Sequence, residues 1–201
     1  MYKERDVEAL WQKYSNLLKR LENENVDNLI NTMDQRILMS SFSQREKEPF
    51  CGIGGNVEYA LELAKKASAL NKALNYDLNK ASIIKCSLLS ILGRVGTLTR
   101  NRYIDTTSDW HKEKLGQYYD WNEECPKYQT NDMSLFILQH YNVQLNWDEW
   151  NAISLIKDMT SEDNKFYNIH KSRLALTLQL AHETVMKDEK DKIDEIYTVP
   201  F

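Results

Sequence analysis

Glycine and proline are scarce, 6 and 3 in 201 residues. So few turn-formers exclude an all-β fold, which needs many tight turns. Cysteine is scarce too, with 3 residues at positions 51, 86 and 125. An odd number set far apart excludes a disulfide scaffold and points to a reducing cytoplasm. No apolar run approaches the ~20 residues of a membrane-spanning helix. The opening Met1-Tyr2-Lys3-Glu4-Arg5-Asp6 is too charged for a secretory leader. Basic charge is not in excess either. A net charge of -4 argues against a general nucleic-acid coat and leaves a local basic patch open. The 4 histidines, at 111, 140, 170 and 182, include no pair at helical metal-site spacing.

What remains is a chain of helix-forming segments, long enough for one domain. Val7, Leu10, Trp11, Tyr14, Leu17, Leu18 and Leu21 recur at helical period, predicting an amphipathic helix over 4–23. Its apolar stripe suits either packing on its own domain or a homodimer contact. A helix over 26–38 follows, with Asp27 as the candidate cap, then a polar loop over 39–55. Helices are predicted over 56–74 and 78–92. The latter carries Ile83, Ile84, Cys86, Leu88, Leu89, Ile91 and Leu92, apolar nearly all round, and reads as the buried centre. Gly93 is placed as its left-handed cap. Residues 97–130 form a long irregular segment with room for a small hairpin. A helix resumes near 131, a capping box at Asn146–Glu149 opens another to about Lys157, and a last helix covers 171–188. The domain reading is an N-terminal helix over 1–25, a helical domain over 26–188 and a charged, fraying tail over 189–201.

Four stretches stand in an order that resembles the HD family of metal-dependent phosphohydrolases, as found mainly in bacteriophages. Gly54-Gly55-Asn56-Val57-Glu58-Tyr59 is similar to that family's Gly-Gly-Leu-x-Glu-His. Leu92-Gly93-Arg94-Val95-Gly96 is similar to the stretch after its His-Asp pair. The run from Arg100 through Trp110 to Pro126 and Ser134 resembles its long loop. Ala181-His182-Glu183-Thr184-Val185-Met186 resembles its last-helix motif. The resemblance implies an all-α, HD-like helical bundle with an N-terminal helical arm and a long irregular loop.

The departures fall on the metal ligands. Tyr59 stands for a histidine, Ser90-Ile91 for the His-Asp pair, Gln129 and Ile156 for two later histidines, and Val185 for the final aspartate; Cys51 falls near the first histidine. Phenol, hydroxyl and alkyl groups do not replace imidazole and carboxylate lone pairs. Without the ion there is no activated water and no phosphate clamp. The resemblance therefore implies a pseudoenzyme with no cofactor, binding a host protein or a nucleotide-like ligand in the host cytoplasm. The residues expected to line the relict cleft are Glu58, Tyr59, Lys85, Ser90, Arg94 and His182. Arg94 could meet a phosphate or carboxylate, or close a helix end on orphan carbonyls. Lys85, within the apolar helix, must snorkel or find a partner. Cys51 is read as a buried cysteine or as an exposed thiol within reach of His182. The loop aromatics Tyr103, Trp110, Tyr118, Tyr119 and Trp121 either cover the core or dock a partner. Two alternatives stand beside the pseudoenzyme: a phosphohydrolase with relocated ligands, for which Asp105, Asp109 and His111 are the densest acid–imidazole group, and a structural or assembly component.

Overall fold

The computed structural model describes residues 4–156 and 165–198. The fold is all-α. Helix α1 (Val7–Lys19) starts at Asp6, whose carboxylate accepts from the Ala9 N–H. Helix α2 (Glu24–Met39) is capped by Asn23, which accepts from the Asn25 and Val26 N–H groups, so the cap lies four residues before the expected Asp27. Asp27 instead sits in the first turn, where a carboxylate favours the positive end of the helix. Helix α3 (Gly55–Leu74) ends at Asn75 in the left-handed conformation, and α4 (Lys80–Leu89) begins on Asn79.

Helix α4 is shorter than its apolar run. The chain breaks at Ser90-Ile91 and resumes as the four-residue α5 (Leu92–Val95). Gly93 is inside α5 and is not the left-handed stop; the helix ends at Gly96, whose φ of 146° favours glycine but is not a left-handed helical cap. A Cβ on Gly93 would lie 2.0 Å from the Thr130 carbonyl oxygen at the start of α7 (Thr130–His140). The glycine is there because another backbone passes too close for any side chain. Ser134 of α7 closes the break. Its hydroxyl accepts from the Gly93 N–H at 2.8 Å and donates toward the Ser90 carbonyl at 2.8 Å. Two buried backbone groups that the kink leaves without helical partners are satisfied this way.

The 97–130 segment holds the small strand pair for which its sequence left room, and a short helix that it did not announce. Strands β1 (Tyr103–Asp105) and β2 (Tyr119–Trp121) pair antiparallel, Tyr103 opposite Trp121, with α6 (Asp109–Leu115) between them. Three-residue strands are too short for an alternation to register in sequence. Helix α8 (Trp147–Leu155) opens with the Asn146–Glu149 capping box as expected, and Lys157 lies outside the described residues. A short α9 (Lys165–Ile169) precedes α10 (Arg173–Thr198).

Helix α3 packs between α4 and α10, α10 also packs on α8, α5 on α7, and α1 on α2, α3 and α4. The expected N-terminal arm is thus part of the bundle, and its apolar stripe is taken up by the chain's own core: Tyr14 and Leu18 are buried. The supposed tail over 189–201 is helical through Thr198, because Ile193 buries an apolar side chain one turn beyond the buried Glu189. Cys51, Cys86 and Cys125 are buried free thiols.

The Tyr14 hydroxyl donates to the Leu88 carbonyl at 2.9 Å, and burial pushes the phenol well above its usual range, so it stays a neutral donor. Leu88 is in the last turn of α4, where carbonyls lack intrahelical partners. Tyr14→Phe orphans that carbonyl and is expected to cost about 1–3 kcal/mol. Urea denaturation of the two proteins measures it.

Candidate functional site

The two glycines before α3 bring a loop down onto the bundle. Gly54 caps α3 at φ 76°. A Cβ on Gly55 would fall 1.9 Å from the Phe50 carbonyl oxygen. The 40–54 loop therefore lies against the start of α3, pinned by the Phe42 N–H to Phe50 carbonyl bond at 3.3 Å. It delivers Phe42 and Phe50 onto Tyr59, with ring centroids 4.5 and 5.6 Å away. On the far side, the Tyr59 hydroxyl and His182 Nδ1 of α10 share a 2.9 Å hydrogen bond. Tyr59 is 3% exposed, and burial raises its phenol well above the ordinary range. It is a neutral hydrogen-bonding group wedged among aromatics.

Arg94 reaches this cluster from α5. Its guanidinium carbon lies 3.7 Å from the Phe42 ring centre, and Nη1 donates to the Phe42 carbonyl at a long 3.4 Å. Its pKa is lowered to about 10, chiefly by desolvation and also by Arg102, against the opposing effects of Tyr59 and Tyr103. The side chain is still charged at neutral pH.

Of the six expected cleft residues, Tyr59, Arg94 and His182 are thus brought together, and Glu58, Lys85 and Ser90 are not. Glu58 is one residue on from the α3 face that carries Val57 and is turned about 100° from Tyr59. It accepts from Arg5 Nε at 2.6 Å, while Arg5 Nη1 donates to the Cys51 carbonyl at 2.7 Å. Lys85 points to α8, where its ammonium meets Glu149 Oε2 at 2.9 Å. The Ser90 hydroxyl turns back to the Ser87 carbonyl at 3.1 Å.

The positions where the family resemblance would place metal ligands do not fit a metal ion. Ile91, Ile156 and Val185 are core residues at 0%, 3% and 3% exposure. Gln129 is the exposed N-cap position of α7. Cys51 is wholly buried, not an exposed thiol, and burial pushes it up to about 11. Asp105, Asp109 and His111 do not form the alternative group: Asp105 is on β1, Asp109 and His111 are on α6, and the His111 ring packs edge-on to Trp110. Among the described residues no three His, Cys, Asp or Glu side chains are placed to hold an ion.

The loop aromatics divide. Trp121 packs edge-on to Tyr103 and against Tyr128, with the Arg102 guanidinium 5.1 Å from its ring, whereas Trp110 is largely exposed. Between the end of α2, α5 and the β1–β2 hairpin lies a cavity of about 270 Å³, its lining including Arg94, Ser41, Tyr103, Asp105 and Tyr119. Phe42, Phe50, Ser41 and Arg102 escaped the sequence reading. Two phenylalanines in an otherwise polar loop were the available signal that this loop turns inward.

Set against known proteins, the chain matches no family model, no curated protein and no solved structure. No helix among the described residues is long and apolar enough to cross a membrane.

Proposed function

We propose that this chain is a metal-free, HD-like pseudoenzyme of phage type that acts by binding, taking a nucleotide-like ligand or a host protein in the host cytoplasm. One observation carries the reading. The side chains at the family's ligand positions on α3, at the break between α4 and α5 and on α10 are a buried phenol, alkyl groups and a hydroxyl, and Tyr59 is closed in by Phe42, Phe50 and His182. Among the described residues that centre offers no coordinating set, so the activated water such chemistry needs has no source there. The glycines and apolar helices that shape the bundle are kept while this centre is filled, as suits a scaffold put to another use.

Metal analysis of the purified chain, with turnover of nucleoside monophosphates in added Mn²⁺, tests the proposal. The expected result is substoichiometric metal and no phosphate release. One transition-metal ion per chain, or Mn²⁺-dependent release, would overturn it and return the chain to the phosphohydrolases.

A further inference from the structure

We propose that the cavity between the end of α2, α5 and the β1–β2 hairpin binds the oxyanion of a small phosphate monoester, with the Arg94 guanidinium as its anchor. This deepens the binding reading above and rests on it, while moving the ligand out of the filled centre and into the neighbouring cavity.

The first support is an imbalance of charge. Arg94 is 7% exposed, and among the described residues no carboxylate lies within ion-pair distance of it. Its partners are a π face and one long carbonyl contact, poor compensation for a buried cation. Arg102 adds to the excess. Its Nε and Nη1 are buried without hydrogen-bond partners, and its charge opposes that of Arg94. Arg36, also in the lining, directs its guanidinium to the Thr97, Leu98 and Arg100 carbonyls and the Asn101 Oδ1, which holds a second positive charge at the wall. The one acid in the lining, Asp105, is exposed, where water screens it. An oxyanion offsets this excess, and the forked guanidinium suits phosphate geometry.

The second support is shape. About 270 Å³ suits a small molecule, near the lower end of ligand pockets, and is too little for a peptide segment. Met39, Ile53 and Ile104 line it and are each well exposed, so the cavity mouth is apolar while its charged anchor is deep. A ligand with an anionic end and a flat or apolar body fits that gradient.

Calorimetry on the full chain tests this with AMP, inorganic phosphate and adenosine at fixed ionic strength, using wild type, Arg94→Lys and Arg94→Met. AMP is expected to bind wild type, phosphate more weakly, and adenosine not at all. Arg94→Lys is expected to weaken AMP by at least about tenfold, since the fork is lost, and Arg94→Met to abolish binding. Should Arg94→Met fail to fold by circular dichroism, the lysine variant decides alone. Absence of AMP and phosphate binding to wild type, undiminished binding in Arg94→Lys, or equal binding of AMP and adenosine would each overturn the inference. Mn²⁺-dependent conversion of bound AMP to adenosine would instead sink the pseudoenzyme reading and leave the anion site standing. Silence in both assays would remove the site alone.

Discussion

Gly93→Ala is expected to lose at least about 3 kcal/mol of stability, the upper range for overpacking, because the added methyl has nowhere to go. The atom it would meet, the Thr130 carbonyl oxygen at 2.0 Å, is backbone, and the Ser134 nitrogen stands at 3.0 Å behind it. Relief would require α5 and α7 to separate. Separation would in turn break the two Ser134 hydroxyl contacts that satisfy Gly93 and Ser90. Gly93→Asn distinguishes this from a left-handed cap. Asparagine tolerates the left-handed conformation and would be nearly neutral at a cap, but between two backbones it is expected to fail as badly as alanine. Gly116→Ala serves as the contrast. That residue is left-handed at φ 59°, and the nearest atoms its Cβ would meet belong to the Glu46 side chain, Cγ at 2.8 Å, and not to backbone. A loss of about 1–2 kcal/mol is expected there, the cost of a left-handed Cβ. Urea denaturation of the three variants decides the matter, and a mild Gly93→Asn would refute the close approach.

Glu149→Ala is expected to cost about 3–5 kcal/mol, the range for a buried ion pair deprived of one partner. Glu149 is 3% exposed and occupies a junction. One carboxylate oxygen accepts from the Ser82 hydroxyl at 2.8 Å; the other accepts from Lys85 at 2.9 Å and from the Asn146 N–H at 3.1 Å. The change thus removes half of the α8 capping box and strands an ammonium whose side chain is 17% exposed. Lys85→Met combined with Glu149→Gln is expected to be milder than Glu149→Ala alone. The pair of neutral side chains leaves no unpaired charge, and the amide keeps an acceptor for the cap. A double-mutant cycle read by urea denaturation measures the coupling. Additive single effects would show that Lys85 is held by solvent and not by Glu149.

Lys85 illustrates what a sequence discloses about a buried charge. A lysine among Ile83, Ile84, Cys86, Leu88 and Leu89 announces that something must pair with it. The partner is 64 residues away, and no local rule names it. Glu149 was legible only as the closing residue of a capping box, at the third helical position, a local function that it also performs. The candidate cleft divides in the same manner. Tyr59 and His182 stood out in sequence, but their hydrogen bond depends on how α3 and α10 cross. Phe42 and Phe50, which pack on Tyr59, and Arg102, whose charge acts on Arg94, carry no periodic or motif signal.

The order of the seven longer helices, the α8 capping box and the buried character of the Ile83–Leu92 run were determined by sequence alone. Each rests on short-range physics: period, side-chain capping and apolar content over a few turns. Tertiary structure decided the rest. It broke the apolar run at Ser90-Ile91, because a crossing helix supplied Ser134 to satisfy the broken backbone. It carried α10 past 188, because Ile193 found a place in the core. It made Gly93 a contact point and not a cap, since only the approach of α7 forbids a Cβ there. These outcomes depend on distances between residues far apart in the chain, and a linear pattern does not encode which backbones will touch.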